Sequence, residues 1–517
     1  MAENKIEIGA ETVDSATGPA ESPRDDESVL EKQTRTRKVF SLPQLYAFSL
    51  MYLVTWIAMG SSMYYGLLNG GPAAFLFNYI IVAIGALAQA ACLAELASIL
   101  PIAGAQYYWT YYLAIPRARL FLTWLQGWAT WLGYIFFLAT CLNSNTILLQ
   151  GVIQINNPEY EATGWRTTVI IIATLAIYTV INIWGFRSLP WIELLAGVLN
   201  MCFFVITVAA LWALSPRNGP EFFLTTRHSS GYENDFVVWN VGMLTHLWTF
   251  IGFEGIIHMG EETKDAKRVV PRAMVWAIAT NGVTGLIMVV TVLACMPPIE
   301  DMLEASSPFV YLLVTSTGST TIATVIGTGI SVALFCAGMT VYSSSSRLTW
   351  AWARDGGLPR YFGHVDAATR VPLRAVLLTC AIVVALNFLN LGTETYVALG
   401  AITSLATLAI YSSYALILAV VLHARVATTG FEAGRQWNLG QWGLPLNAYA
   451  LAHTLYTMIW LPFPTTVPVT PATMNYSGPV FGAVILGAVG VWCVWGRKHW
   501  PGPNQKVVDI VLRLAGE

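Results

Sequence analysis

Twelve apolar blocks follow one another along this chain, near residues 44–68, 72–98, 121–150, 167–186, 189–214, 237–260, 274–297, 318–343, 373–392, 396–422, 443–462 and 478–496. A bilayer core about 30 Å thick needs ~20 apolar residues per helix at a rise of ~1.5 Å per residue. A single block of that length can be the buried core helix of a soluble protein. Twelve in succession cannot. Hydrophobic residues make up 56% of the chain and charged residues 11%, against roughly 25% charged in an ordinary soluble domain. A soluble protein of 517 residues could not hide so much apolar surface and stay dispersed. The blocks predict an all-α integral membrane protein with twelve transmembrane helices set in membrane lipid.

The loops carry a second, independent signal. With a cytosolic N-terminus, the even-numbered connections lie inside. They then hold, with the two tails, Lys5, Arg24, Lys32, Arg35, Arg37, Lys38, Arg117, Arg119, Arg187, Lys264, Lys267, Arg268, Arg272, Arg347, Arg354, Arg360, Arg370, Arg374, Arg425, Arg435, Arg497, Lys498, Lys506 and Arg513. That is 24 of the 27 Lys and Arg, and only Arg166, Arg217 and Arg227 fall outside. This positive-inside bias predicts both termini in the cytosol and an even number of spans. Residues 1–40, rich in Glu, Asp, Ser, Thr and Pro, read as a disordered cytoplasmic tail, and 497–517 as a cytoplasmic C-terminal tail. With no apolar leader core in that tail, the first span serves as its own insertion signal. The stretch 106–119 is too short and polar to span, and its aromatic residues and two arginines predict an interfacial segment. The seven cysteines all fall inside the blocks, without metal-ligand spacing, and read as packing residues. Asn475-Tyr476-Ser477 is a glycosylation sequon that nearly abuts the last span.

Two spans carry interruptions in matching places. The first holds Ala58-Met59-Gly60-Ser61-Ser62 at its middle, and the sixth holds Ile251-Gly252-Phe253-Glu254-Gly255. Glycine weakens a helix interior by about 1 kcal/mol, and serine offers the freed backbone another partner. Glycines also serve close helix packing, so the register of the two matters more than either alone. Five spans separate them. That spacing fits two five-helix repeats, 41–214 and 237–422, followed by two trailing helices over 443–496. An odd number of spans per repeat makes the repeats inverted, with the breaks marking the transport site. A carboxylate at mid-membrane costs about 2.5–3.5 kcal/mol on insertion scales. Glu254 must therefore exchange a proton, pair with a cationic substrate group, or bond the unwound backbone of a neighbouring helix. Glu95 and Glu193 lie nearer the ends of spans 2 and 5 and read as solvated or helix-bracing carboxylates. His258, one turn past Glu254, is a proton relay or a hydrogen-bonded structural histidine. Trp248 and Phe253 flank the break and can cap a substrate or stack on an ammonium group.

The stretch LWTFIGFEGIIHMGEETKDAKRVVPRAM, 247–274, resembles the sixth-span signature of the amino acid–polyamine–organocation transporters, and more narrowly their fungal amino acid, GABA and choline permeases. GSSMYYGLLNGGPAAF (60–75), LAELASILPIAGAQYYW (93–109), SSRLTWAWARDGGLPRYFGHVDAATRVPLRA (345–375) and LPFPTTVPVTPATMNYSG (461–478) agree with it in order and cover nearly the whole chain. The resemblance implies a leucine-transporter-type 5+5 inverted-repeat fold with two C-terminal helices, and a substrate held between spans 1 and 6. It implies that Ala58, Met59, Gly60, Ser61 and Ser62 hold a substrate carboxylate where one is present. It places Trp248 at the aromatic gate, Ile251 and Gly252 in the unwound stretch, and Glu254 as the acidic residue, the proton-coupling candidate. One departure is Ser62, where amino acid transporters often carry a second glycine; this leaves room for a substrate without a carboxylate, such as choline. The implied activity is proton-coupled symport of an amino acid or a small amine such as GABA at the plasma membrane, with choline, another quaternary amine or a polyamine as the alternative. Ser343 to Ser346 offer a sodium site with span 1 carbonyls, the second choice of coupling ion, or a plain polar helix end. The basic loop 264–272 and the run 347–374 read as topology anchors and gate salt bridges.

A channel or a transporter-like sensor is the competing class. A channel needs a continuous polar or charged pore lining, whereas the few intramembrane charges here cluster at the breaks. A sensor would need more than the modest tail. No nucleophile–base pair, metal cluster or phosphate-binding loop points to an enzyme or an ATP-driven pump. No bound cofactor, metal or nucleic-acid partner is called for.

Overall fold

The structure is a computed structural model that describes residues 38–366, 368–392, 395–427, 436–471 and 473–514. The tail through residue 37, Arg435 and the last three residues lie outside the described residues. Among the described residues, eleven helices are long and apolar enough to cross a bilayer. Spans 1 to 5 are Leu42–Leu68, Gly71–Ile99, Arg119–Asn156, Gly164–Trp184 and Phe186–Leu214; spans 6 to 8 are Asp235–Glu262, Ala266–Cys295 and Thr320–Arg354. Spans 9 and 10 are Leu373–Leu391 and Val397–Ala427, and Ser477–His499 is the last. The remaining block forms the helix Gly443–Trp460, whose buried face carries Asn447, His453, Thr454 and Thr457. That polar stripe makes it less apolar than the other eleven, and it completes the twelve. No β-strand occurs among the described residues; isolated bridges join Phe40 to Thr263 and Asn69 to His228.

The packing pairs each of the first four spans with the one five places on. Span 1 meets span 6, span 2 meets span 7, span 3 meets span 8 and span 4 meets span 9. The contact of spans 3 and 10 is mirrored by that of spans 8 and 5. Spans 4 and 5 turn apolar side chains outward, among them Ile177, Val180, Leu195 and Val205. With no water in the bilayer core, such faces are at home against lipid. Cys202 of span 5 and Cys493 of the last span are exposed, so those two cysteines do not pack between helices as the sequence suggests.

Two expectations about segment placement change. Residues 106–119 do not lie flat on an interface. Their first part is the short helix Gln106–Leu113, and Gln106 to Thr110 are buried in the core. Span 8 runs eleven residues past the end of its apolar block, to Arg354, which puts the serine run inside a continuous helix. The ends of spans 6 and 8 meet there through buried ion pairs, Arg347–Glu262 at 3.4 Å and Arg354–Glu261 at 3.2 Å. Arg425 of span 10 pairs with Glu95 of span 2 on the same face. That face also carries both described chain ends. The Phe40 carbonyl accepts from the Lys264 amide at 3.0 Å, and Trp500 Nε1 donates to the Asp355 carbonyl at 2.7 Å. Just beyond span 8, burial pushes the Asp355 carboxyl up, with the Arg354 charge opposing.

Candidate substrate site at the helix breaks

The sixth span breaks where its glycine predicts. It is helical over Asp235–Gly242 and Leu244–Thr249, turns through Phe250 to Gly252, and resumes as a 3₁₀ helix, Phe253–Glu262. Gly252 sits at φ 77°, a left-handed conformation that costs other residues about 1–2 kcal/mol. The space also excludes a side chain. A Cβ there would lie 2.7 Å from the Phe137 ring and 2.9 Å from the Tyr52 ring. The freed Gly252 amide donates to the Tyr414 hydroxyl at 3.0 Å.

The first span breaks six residues earlier than its Gly-Ser-Ser run suggests. Helices Leu42–Leu53 (span 1a) and Thr55–Leu68 (span 1b) meet at Val54, at φ 34°, ψ 44°. Ala58, Met59, Gly60, Ser61 and Ser62 lie within span 1b. The reason is tertiary. Asn281 of span 7 accepts from the Thr55 amide at 3.0 Å and donates to the Leu50 carbonyl at 3.3 Å. One side-chain amide thus takes the place of the helical acceptor of Thr55 and gives the Leu50 carbonyl a second donor, holding both sides of the kink. The Thr55 hydroxyl donates to the Thr249 carbonyl at 3.1 Å, tying the first break to the second. The serines bond inside their own helix: Ser61 and Ser62 donate to the Ala58 carbonyl at 2.9 and 3.0 Å.

The two broken spans are joined again one turn further on. Thr245 of span 6 accepts from the Gly66 amide at 2.9 Å and donates to the Ser62 carbonyl at 2.8 Å. Trp248 Nε1 donates to Ser62 Oγ at 2.8 Å, and its ring meets Phe137 edge-on at 6.3 Å. Glu254 is fully buried on the other side of the break. Gln106 Nε2 donates to one carboxyl oxygen at 3.0 Å, and the Tyr414 hydroxyl donates to the other. Phe253 lies 5.3 Å from the Tyr414 ring. His258 does not reach Glu254 through a hydrogen bond. Its Nδ1 bonds the Ala103 carbonyl at 2.6 Å and its ring packs on Tyr134 at 4.7 Å, the structural role of the two considered.

All ten sequence-predicted site residues are therefore buried and gathered at the meeting of spans 1 and 6, but Ala58 to Ser62 are a helical wall rather than an unwound cradle. Thr55, Thr245, Asn281, Gln106 and Tyr414 were not singled out from the sequence. Asn281 had a usable signal, an amide inside an apolar span. Gln106 and Tyr414 had none, because only the fold brings them to Glu254. The serine run is not a polar helix end. Ser343 donates to Asn182 at 2.8 Å, Ser344 to the Gly255 carbonyl at 2.5 Å, and Ser346 to the Ser343 carbonyl at 2.8 Å.

Two broken helices stitched face to face, with a buried carboxyl at the break, form the geometry of a solute site within a bundle. Residues 45–486 match the family model for amino acid permeases. The chain belongs to the amino acid permease family. This permease is 28% identical to a protein of Macrophomina phaseolina named as an amino acid/polyamine transporter, over 84% of the chain and 96% of the relative. It is 26% identical to the choline transporter of Saccharomyces cerevisiae, over 90% and 83%, and 27% identical to amino-acid permease 2 of Neurospora crassa, over 92% and 89%. The permease is a multi-pass membrane protein of the amino acid–polyamine–organocation superfamily, not an enzyme. The sequon residue Asn475 is buried, and its amide donates to the Leu461 and Phe463 carbonyls at 2.9 and 3.0 Å.

Proposed function

We propose that this permease is a proton-coupled symporter that carries an amino acid or a small amine such as GABA into the cell by alternating access. The reading places it in the plasma membrane with both termini in the cytosol. One observation carries it: Glu254 is fully buried at the span 6 break, with two neutral donors and no Lys or Arg bonded to it among the described residues. A carboxyl held this way is costly as a lone anion. It is satisfied by a proton in one part of the cycle and by a substrate ammonium group in another. Trp248, Phe253, Ile251 and Gly252 line one side of the proposed site, and Ala58 to Ser62 the other.

A second reading, choline or another quaternary amine, has its own support. Two backbone amides at the breaks that could hold a substrate carboxylate are already bonded, Thr55 to Asn281 and Gly252 to Tyr414. The Ser61 and Ser62 hydroxyls are turned back onto Ala58. An acidic, aromatic site with these two amides occupied favours a cation without a carboxylate. The named substrate of the yeast choline relative agrees with that reading.

Proteoliposomes with an inward proton gradient should accumulate a labelled substrate, identified by competition among GABA, neutral and basic amino acids, choline and polyamines. Accumulation against a concentration gradient separates a transporter from a channel. Glu254→Gln should abolish the effect of the gradient. Transport by that variant with an unchanged pH dependence would refute the proton role of Glu254.

A further inference from the structure

Span 5 presents a buried stripe of Leu189, Glu193, Ala196, Gly197, Asn200, Phe204, Thr207 and Leu211. The spacing is that of one helix face, and Glu193 occupies a place on it that would ordinarily be apolar. It is fully buried, and neither carboxyl oxygen has a hydrogen-bond partner. This is not the solvated or bracing carboxylate its position near the helix end suggests. Trp184 and Trp191, 72% and 66% exposed, mark the lipid-facing surface on either side, so Glu193 points inward just within the interfacial belt.

Among the described residues no hydrogen bond to the carboxyl is formed, although the Thr340 hydroxyl faces it. Thr340 and Cys336 of span 8 and Tyr178 of span 4 lie beside the carboxyl. Thr340 donates its hydroxyl hydrogen to the Cys336 carbonyl at 2.9 Å, and Tyr178 donates to the Phe335 carbonyl at 2.6 Å. Both hydroxyls can then only accept, and a carboxylate is itself only an acceptor. A carboxylic acid has the one hydrogen the cluster lacks. No Lys or Arg pairs with Glu193 among the described residues. Arg347, two turns along span 8, is engaged with Glu262, Asn182 and Ser346, and Arg187 is exposed. Span 1a carries no charged residue, and its Tyr46 bonds Thr280. Span 7 meets span 5 at the far end, through Thr291 and Cys295. The short helix Pro308–Thr317, which also packs on span 5, offers only Tyr311.

Span 1a closes this region. A Cβ on Gly197, one turn from Glu193, would lie 3.2 Å from Ala47 of span 1a, and span 1a ends at the Val54 kink. We propose that Glu193 is a proton-binding site, holding its proton while span 1a lies against span 5 and releasing it to cytosolic water when span 1a lifts away. Its ligand is the proton alone. Taking up the proton converts a carboxylate to a carboxylic acid and closes the cytosolic side; wetting reverses both. Acidification of the cytosol then favours the closed conformation, and a neutral or alkaline cytosol favours opening.

The test uses the full chain in proteoliposomes at equal pH on both sides, without solute. Infrared spectra near pH 7 should show a protonated-carboxyl C=O band that is lost in Glu193→Gln, in both the wild-type and the Glu254→Gln background. Raising the pH from about 6 to about 8.5 should deprotect segments 42–53 and 189–200 severalfold in hydrogen–deuterium exchange, after correction for intrinsic rates. Glu193→Gln should hold both segments at the protected level throughout. Glu193→Leu, which cannot ionise either, should do the same and covers a glutamine variant that folds poorly. An infrared band unaffected by Glu193→Gln, or a pH response shared by wild type and the folded variants, would overturn the proposal. Neither readout involves solute, so the coupling role of Glu254 can fail while this one stands, and the reverse.

Discussion

The two helix breaks serve one site but are made differently. The break in span 6 is local. Gly252 takes a left-handed conformation at φ 77° in a space that excludes any side chain. The break in span 1 is imposed from outside. A valine takes the kink at φ 34°, where a β-branched residue is a conformational outlier, and an asparagine 226 positions away bridges it. A break of the first kind is a property of its own span. One of the second kind exists only when span 7 is in place, so its geometry depends on how spans 1 and 7 move together.

Gly252→Ala strikes the local break and should have the largest effect. The left-handed backbone and the crowding from Phe137 and Tyr52 together predict a loss of about 2–5 kcal/mol. A fall in the thermal midpoint of the purified protein, with loss of substrate accumulation, is the expected result. A variant as stable as wild type would mean that the turn does not require glycine, and the contrast between the breaks would collapse.

Asn281→Leu strikes the imposed break while keeping side-chain volume. The Thr55 amide then loses its acceptor in a buried place, and the Leu50 carbonyl, which already accepts from Val54 at 3.1 Å, loses its second donor. One unsatisfied buried donor predicts a loss of about 1–3 kcal/mol, less than for Gly252→Ala. The structural consequence is more specific: the kink at Val54 should no longer be held in one geometry, and transport should fall more than stability does. Unchanged transport would show that the kink is held by something other than Asn281.

The same division explains what could be read from the amino-acid order. Twelve apolar blocks and a glycine break in span 6 are local patterns; each block forms a helix among the described residues, and the break falls at Gly252. The first break was misplaced because Gly60-Ser61-Ser62 looks like a helix interruption. Those serines are satisfied by the Ala58 carbonyl inside a helix, a choice open to any serine in an apolar span. Val54 carries no turn signal at all. Glu193 was misjudged for a related reason. Its distance from the helix end is local and suggests solvent, while its neighbours Tyr178 and Thr340 come from spans 4 and 8 and only the fold assembles them. Gln106 followed the same course, passing for an interfacial residue until its helix proved to insert beside Glu254.

Thr245→Val gives the finest test of the distinction. Like Asn281, Thr245 bridges span 1 backbone from another span, accepting from Gly66 and donating to Ser62. The difference lies in what is left behind. Ser62 and Gly66 are four residues apart within span 1b, so their carbonyl and amide can bond each other once the hydroxyl is gone. The Thr55 amide, at the kink, has no such fallback. Thr245→Val should therefore cost about 0.6 kcal/mol, the average for a side-chain hydrogen bond between membrane helices, and shift the thermal midpoint only slightly. A loss as large as that of Asn281→Leu would mean that the Ser62–Gly66 rung cannot close, and that span 1 has a second break held from span 6.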